Sequence, residues 1–312
     1  MKILLFYTMC ILIFTLTTIP TDVFAAEHDQ ICIDKIWIES SKGKIACVTA
    51  STAASLIERG WGTILDDSDN LQVLASMFEV HPEKMRIAAP LPETAMGPQI
   101  DFTKGYLVEE IRDGLYWVTD GAYNTIFLTT GKGVIAVDAP PSIGGNYLKA
   151  IAEVTEEPVT HVIYSHTHID HVGSISMFPD DVTLISHQEI ADTLAKRNDP
   201  NRPIPTVTFE DEYTLEVGNQ KLELAYYGPM HEPGNIFIYA PNQKVLMLVD
   251  VIFPGWTPFK DLALAQDVPE FLAAHDKILE YDFDTFIGGH LTRLGTPEDV
   301  QIQKEYFQDI QD

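Results

Sequence analysis

Hydrophobic and polar positions change character twice along the chain. Residues 1–25 hold one long apolar or hydroxylic run behind a single lysine. Residues 31–39 and 44–48 then alternate in the manner of strands, whereas 52–59 and 68–80 have the spacing of helices. These segments predict a small N-terminal α+β module over residues 26–81. The stretch 82–105 carries prolines and little periodicity, which predicts a linker.

Beyond residue 106 the pattern becomes a series of short apolar runs, rich in β-branched and aromatic residues and separated by glycine and asparagine turns. This pattern predicts strands, interrupted by longer segments with helical spacing. Strands in hairpins with helices between them favour an α/β sandwich over a doubly wound parallel sheet. The predicted strands are 114–119, 125–129, 134–138, 159–165, 182–186, 213–217, 221–227, 235–239 and 244–249, and the predicted helices are 145–154, 187–197, 268–281 and 297–311.

The first 25 residues have the composition of a secretory signal peptide. Lys2 precedes an apolar run, and Val23 and Ala25 provide the small residues of a cleavage site. A secreted, periplasmic or cell-surface protein with no membrane span after cleavage is the expectation; a retained membrane anchor is the alternative. In an oxidising compartment the two remaining cysteines, Cys32 and Cys47, are expected to form a disulfide, with two free thiols as the alternative.

The charge of the chain limits its partners. It carries 46 acidic against 20 basic side chains, a formal net charge of −26. Such a surface repels polyanions, which argues against nucleic acid and anionic membranes as partners. We therefore expect a small-molecule substrate, whereas the oligomeric state cannot be read from the sequence.

The sequence H-T-H-I-D-H, from His166 to His171, is the clearest chemical signal in the chain. It begins where the predicted strand 159–165 opens into a loop, so rigid backbone could hold its side chains toward one point. Imidazole nitrogen and carboxylate oxygen suit zinc. Alternate residues of an extended loop point the same way, so His166 and His168 can share one metal. Asp170 and His171 must face elsewhere, which suggests a second metal nearby.

This motif resembles the H-x-H-x-D-H motif of the metallo-β-lactamase superfamily, and the resemblance extends over roughly residues 106–312. Three later segments match the family in order: G-P-M-H-E-P-G-N with His231, L-M-L-V-D with Asp250, and F-I-G-G-H with His290. The resemblance implies an αββα sandwich, a catalytic domain over residues 106–312 and two zinc ions per chain, with iron or manganese as possible substitutes.

The resemblance also implies a role for each ligand. His166, His168 and His231 would bind the first metal; Asp170, His171 and His290 would bind the second; Asp250 would bridge the two. Asp138, which closes V-I-A-V-D, matches a family aspartate that hydrogen-bonds a ligand histidine. His161 and His187 are candidates for groups behind the ligands, whereas His28, His81 and His275 are expected at the surface.

Hydrolysis through a metal-bound hydroxide is the activity that the resemblance implies. A pair of metals lowers the pKa of a shared water, and the hydroxide attacks an acyl carbon. Asp170 would orient that nucleophile, and Asp250 could carry its proton to the leaving group. We expect a secreted dizinc hydrolase of a small uncharged ester or lactone, with β-lactam hydrolysis as the alternative.

Several branches of the superfamily fit less well. The acidic surface opposes nucleases, and glyoxalase II-like thioesterases carry basic residues for glutathione that are scarce near the C-terminus here. Quorum-quenching lactonases place a tyrosine three residues after the bridging aspartate, where this chain has Phe253. Tyr123, Tyr164 or Tyr227 would have to substitute. Phe253, Trp256 and Phe259 either line an apolar pocket or pack in the core.

Two rival hypotheses come from other classes. One is a mononuclear iron persulfide dioxygenase, which uses two histidines and an aspartate on its iron. The other is a surface-anchored binding protein with a structural metal site. One iron per chain would distinguish the dioxygenase from a dizinc hydrolase. Unchanged ligand binding after metal removal would distinguish the binding protein from an enzyme.

Overall fold

A computed structural model describes residues 36–40, 45–48, 62–64, 92–101, 103–257, 262, 264–291 and 293–311. The chain divides into two compact units, Met1–Leu74 and Ala75–Asp312. The predicted signal peptide, the helices predicted at 52–59 and 68–80, His28, His81 and Phe259 lie outside the described residues. So does the Cys32–Cys47 pairing, because Cys32 is not among them. The boundaries predicted for the module and linker therefore remain predictions.

The described part of the first unit is a three-stranded antiparallel sheet. Its strands are β1 (Ile36–Ser40), β2 (Ile45–Val48) and β3 (Gly62–Ile64), in the order β2-β1-β3. The alternation of apolar and polar residues predicts β1 and β2.

The second unit contains a seven-stranded mixed sheet. Its order is β10-β9-β8-β7-β6-β5-β4, antiparallel from β4 to β7 and parallel from β7 to β10. The strands are β4 (Leu107–Arg112), β5 (Leu115–Thr119), β6 (Asn124–Thr129), β7 (Val134–Val137), β8 (Val159–Ile163), β9 (Thr183–His187) and β10 (Val207–Phe209).

A second sheet of five strands has the order β11-β12-β13-β14-β15. Its strands are β11 (Glu212–Val217), β12 (Gln220–Ala225), β13 (Phe237–Ala240), β14 (Val245–Met247) and β15 (Thr285–Ile287); the last pair is parallel. The helices of this unit are α1 (Gly145–Val154), α2 (Ile169–Val172), α3 (Gln188–Arg197), α4 (Val268–Leu279) and α5 (Pro297–Gln311).

The second unit has three hydrophobic layers, one between its two sheets and one on the outer face of each sheet, so many of its strands are apolar on both faces. In β7, Ile135 and Val137 face the five-stranded sheet, whereas Val134 and Ala136 pack with α1 and α3. The outer face of the second sheet packs on α4 and α5 around residues such as Phe271. This helix–sheet–sheet–helix arrangement is the predicted αββα sandwich, and the fold prediction is confirmed.

One surface prediction is wrong. His275 is fully buried on α4, on the face that it shares with Phe271, Ala274 and Ile278. Its Nδ1 lies 3.0 Å from the Leu272 carbonyl oxygen, and its Nε2 lies 3.1 Å from Gln303 Nε2 on α5. The imidazole is buried because α5 covers that face of α4 and supplies a polar partner.

Among the described residues, no helix is both long enough and apolar enough to cross a bilayer.

Candidate metal centre

Six of the seven predicted metal ligands follow strands that belong to parallel pairs, and the seventh, His231, follows an antiparallel strand. His166 and His168 follow β8, and α2 carries Asp170 and His171. Asp250 follows β14, and His290 follows β15. His231 lies in the loop between β12 and β13. These strands belong to both sheets, so the cluster forms where loops from the two sheets converge.

The structure brings all seven residues together in two groups. In each group, one potential ligand atom per residue lies within 4.8 Å of the others. The first group is His166, His168, His231 and Asp250, and the second is Asp170, His171 and His290. These are the two sets that the motif predicts, although the number and identity of bound metals remain predictions.

Asp250 lies between the two groups. Its Oδ2 is 3.6 Å from His166 Nε2, 3.4 Å from His231 Nε2 and 3.2 Å from His171 Nε2. Its Oδ1 is 3.0 Å from His290 Nε2. One carboxylate therefore faces ligand atoms of both groups, as a bridging ligand must.

The donor atoms fit a metal ion. His166 Nε2 is buried and has no hydrogen-bond partner among the described residues. Two pairs of ring nitrogens face each other at 2.9 Å: His231 Nε2 with His168 Nδ1, and His171 Nε2 with His290 Nε2. Ligand atoms of a tetrahedral zinc lie about 3.3 Å apart, because each bond is about 2.0–2.1 Å long. Lone pairs that converge at nearly this spacing suit a shared cation better than one another.

The electrostatics of the cluster favour a cation as well. Burial raises the pKa of Asp250, but His171 and His290 outweigh it and hold that pKa well below its ordinary value. Burial also disfavours a charged His171, yet the nearby Asp250 and Asp170 raise its pKa to about 9. His166 behaves in the opposite way, because burial and neighbouring rings keep its pKa well below the ordinary value. The cluster thus holds an ionised carboxylate that attracts positive charge.

Backbone geometry at the ligands is unusual in two places. Asp250 has φ 64°, in the left-handed region. Such a conformation costs about 1–3 kcal/mol for a residue other than glycine and persists where the surroundings hold it. Gly289 precedes His290, and a Cβ there would lie 2.6 Å from Asp250 Oδ1 and 2.6 Å from Val249 Cγ1. Only glycine lets this loop approach so closely.

The fold, the motif and the convergence of the ligands agree with the comparisons to known proteins. A family model described as the metallo-beta-lactamase superfamily matches residues 118–290, more than half of the chain. The chain belongs to the metallo-beta-lactamase superfamily.

Relatives and solved structures extend this assignment. The chain is 29% identical to 2,4-dinitroanisole O-demethylase subunit alpha of Nocardioides sp. (strain JS1661), over 72% of this chain and 67% of that protein. It is 25% identical to a metallo-beta-lactamase type 2 of Elizabethkingia meningoseptica, over 45% of this chain and 59% of that one. A metallo-beta-lactamase structure from Pontibacter korlensis is similar with a TM-score of 0.57 and 18% identity, covering 65% of this chain and 99% of that one.

The aspartate expected behind a superfamily ligand makes its contact indirectly. Asp138 accepts hydrogen bonds from the Ser165 backbone N–H and hydroxyl, both at 2.7 Å, and Ser165 Oγ lies 2.8 Å from His166 Nδ1. The expected direct bond to a histidine is thus made through Ser165. Burial raises the pKa of Asp138 to about 6.

Glu232 is a residue of this site that the sequence reasoning missed. Its carboxylate lies 3.1 Å from His168 Nε2 and also accepts the backbone N–H of Thr167. Burial raises its pKa, but the contacts with His168 and Thr167 outweigh that effect and leave it lowered. The residue stands inside the quoted G-P-M-H-E-P-G-N segment, yet its contact partners are more than 60 residues away in sequence, so no local pattern indicates them.

The other candidate histidines have different roles. His187 caps α3 by accepting the Glu189 backbone N–H, and its Nε2 lies 2.7 Å from the Glu210 carbonyl oxygen. His161 Nδ1 contacts Thr160 Oγ1 at 2.9 Å. The described contacts of both rings are therefore with neighbouring backbone or side chains rather than with ligands.

Of the three tyrosines considered as substitutes, one lies at the ligands. Tyr123 Oη is 3.3 Å from Asp170 Oδ2, and its ring centroid is 4.6 Å from that of His290. Tyr164 donates its hydroxyl to the Pro203 carbonyl oxygen, and Tyr227 pairs with Tyr281. The residue three positions after Asp250 is Phe253. Its ring lies nearly parallel to that of His290, with an interplanar angle of 20° and ring centroids 6.3 Å apart.

A pocket of about 480 Å³ opens over the ligands. Ligand residues form one side, and apolar side chains form the rest: Ile169, Phe253, Trp256, Leu264 and Leu291. Phe253 and Trp256 therefore line the pocket, as one of the two sequence interpretations holds. The volume suits a small organic molecule.

Proposed function

We propose that this chain is a dizinc hydrolase that opens the ester or lactone bond of a small uncharged substrate. The observation that carries the proposal is a two-part ligand cluster beneath an apolar pocket. Membership of the superfamily supports metal-dependent hydrolysis as the reaction type.

The pocket wall supports an uncharged substrate. None of the described residues that line it is lysine or arginine, so the described side chains of the wall offer no positive charge to a substrate carboxylate or phosphate. The Phe253 and Trp256 rings meet edge to face with centroids 5.6 Å apart. These rings would hold the apolar part of the substrate and exclude water from the reacting bond.

The residues present divide the chemical work. The metals, when bound, activate water and polarise the carbonyl oxygen. Asp170 is 29% exposed and reaches toward His171, His290 and the Tyr123 hydroxyl, so its carboxylate can orient the attacking water. Asp250 is 6% exposed, faces both ligand groups and can pass the proton to the leaving oxygen.

Metal analysis and a substrate panel test this proposal. We expect two zinc ions per chain, and hydrolysis of small aryl esters or lactones that His168→Ala abolishes together with most metal binding. The control is His161→Ala, on the strand that leads to the ligands, which should keep both. Full activity in His168→Ala, or no hydrolysis by the metal-loaded chain, would refute the proposal.

A second candidate reaction is hydrolysis of an activated aryl methyl ether. The relative named 2,4-dinitroanisole O-demethylase subunit alpha aligns with 72% of this chain, and the aromatic pocket wall suits a flat ring. Water would attack the ring carbon bearing the methoxy group, and the products would be a phenol and methanol. Equimolar methanol release from 2,4-dinitroanisole, with no ester hydrolysis, would favour this reaction over the first.

The same panel addresses the remaining alternatives. Hydrolysis of a β-lactam as the main activity would place the chain with the relatives of that name. One iron per chain with oxygen consumption on a persulfide would replace hydrolysis by oxygenation. We also propose secretion after removal of residues 1–25, which intact mass of the exported protein tests: a mature N-terminus at Ala26 is expected.

A further inference from the structure

Glu232 is a carboxylate buried beside the candidate metal centre. It directly follows His231, and 3% of its surface is exposed. One carboxylate oxygen lies 3.1 Å from His168 Nε2, and the other accepts the backbone N–H of Thr167. Glu232 therefore links the loop of the third ligand to the loop of the first two.

The contact with His168 fixes which ring nitrogen can bind a metal. His168 Nδ1 lies 2.9 Å from His231 Nε2 and thus faces the ligand cluster, whereas Nε2 faces Glu232. A neutral imidazole binds a metal through the nitrogen that carries no proton. A carboxylate that accepts a hydrogen bond from Nε2–H leaves the lone pair on Nδ1, toward the cluster.

The contact with Thr167 fixes the backbone between the first two ligands. The Thr167 N–H points to Glu232, and the Thr167 carbonyl oxygen accepts a hydrogen bond of 2.8 Å from Arg202 Nη1 and one of 3.2 Å from Arg197 Nη1. Both sides of this residue are therefore held by buried or partly buried groups. The directions of the His166 and His168 side chains depend on it.

We propose that Glu232 is a positioning residue of the metal centre, which sets the His168 tautomer and holds the H-x-H loop in its metal-binding conformation. This inference rests on the metal binding in the proposed function and is independent of which bond is hydrolysed. Groups that orient metal ligands typically change metal affinity by about 10–100-fold when removed.

The decisive comparison is the metal affinity of Glu232→Gln, Glu232→Leu and wild type, with Glu189→Gln as the matched control. Glu189 is a carboxylate on α3 that accepts a hydrogen bond from the Tyr226 hydroxyl. Glutamine keeps the size and an acceptor oxygen but removes the charge, whereas leucine removes both contacts. The probes are Zn²⁺ in competition with a chromophoric chelator and the ligand-field spectrum of Co²⁺.

We expect zinc at the ligand group that contains His168 to bind more weakly as the charge and then the contacts are lost. Its dissociation constant should rise about 10-fold in Glu232→Gln and about 100-fold in Glu232→Leu, with an altered Co²⁺ spectrum, while Glu189→Gln matches wild type. The metal-free Glu232→Gln variant should melt within a few degrees of the metal-free wild type. That result would separate positioning from a role in folding.

Wild-type zinc affinity and an unchanged Co²⁺ spectrum in folded Glu232→Gln would overturn the proposal. So would a loss of affinity no larger than that of Glu189→Gln. If Glu232→Leu does not fold, Glu232→Gln alone decides. Failure of the proposed function is distinguishable, because a chain that hydrolyses no ester or lactone could still show the expected affinity series.

Discussion

Gln303 should support the loop after Asp250 through two buried hydrogen bonds. It lies on α5 and is 3% exposed. Its Oε1 accepts the Phe253 backbone N–H at 3.0 Å, and its Nε2 donates to the Val251 carbonyl oxygen at 2.8 Å. The amide thus holds the backbone on both sides of residue 252, between Asp250 and the pocket wall.

The substitution Gln303→Met isolates these hydrogen bonds, because methionine fills nearly the same volume without polar hydrogens. It leaves a buried N–H and a buried carbonyl unpaired, and it removes the amide next to His275 Nε2. Each unsatisfied buried group costs about 1–3 kcal/mol. Two backbone groups therefore predict a loss of about 2–6 kcal/mol in the free energy of unfolding.

Urea unfolding monitored by circular dichroism measures this loss, with Gln301→Ala as the control. Gln301 is on the same helix, and its side chain bonds only Glu305 at the surface among the described contacts, so its replacement should cost less than about 0.5 kcal/mol. Gln303→Met should also weaken zinc binding, because Asp250 loses its support. A destabilisation equal to that of Gln301→Ala would refute the assignment of a supporting role to Gln303.

Three further predictions follow from the site and its surroundings. Gly289→Ala should lower the free energy of unfolding, measured by chemical denaturation, by about 1–3 kcal/mol and weaken metal binding, because its Cβ would lie 2.6 Å from Asp250 Oδ1. The control Gly145→Ala, with open space around it, should be neutral or stabilising. Equal stability of the two variants would contradict the prediction. Burial lowers the pKa of His275 in the folded chain, so the unfolded chain binds an extra proton below about pH 6.5, and the free energy of unfolding should fall as the pH drops toward the lowered pKa. Urea unfolding at several pH values should show a smaller change of this free energy with pH in His275→Gln than in the wild type. An equal change in both would refute the prediction. Chelation of the metals should lower the melting temperature, since a ligand at 1,000 times its Kd adds about 4 kcal/mol to the free energy of unfolding. Calorimetry with and without chelator measures the shift. Identical melting temperatures would argue against a metal centre.

The strands and helices of the second unit could be predicted because both faces of most strands are buried. Runs such as V-I-A-V at β7 contact one hydrophobic layer on each side, so nearly every residue is apolar. Strand β4 was missed because it is an edge strand with exposed glutamates. Strands β10 and β15 were missed because each has three residues and lacks the longer apolar run that surrounds the equally short β14. Their pairing partners, rather than their sequences, make them strands.

The residues of the candidate metal cluster could be predicted because coordination chemistry restricts residue types strongly. Hydrogen bonds behind the ligands are restricted less. The Ser165 hydroxyl lies between Asp138 and His166 and replaces the expected direct hydrogen bond by two bonds in series. Nothing in the local sequence indicates this arrangement. The burial of His275 could have been predicted from the sequence, because Phe271, Ala274, His275 and Ile278 repeat at helical spacing on one face of α4.

The centre and the pocket differ in how firmly the fold specifies them. The candidate ligands His166, His171 and His231 are almost completely buried and are surrounded by hydrogen-bonded backbone, so a change at any of them disturbs several contacts. The pocket mouth is different: Ile169 is 52% exposed, and Leu264 is 68% exposed. Large aliphatic residues with such exposure contribute little to the hydrophobic core, because most of their surface remains in water.

Backbone conformation adds to this contrast. Leu264 has φ 62° and Leu291 has φ 56°, in the left-handed region that side chains other than glycine, asparagine and aspartate rarely adopt. Strain at exposed positions beside a ligand cluster is typical of residues placed for binding rather than for stability. Substrate choice could therefore be altered at the mouth without loss of the fold. Leu264→Ala should change KM for a bulky ester more than kcat, because the side chain borders the pocket and lies outside both ligand groups.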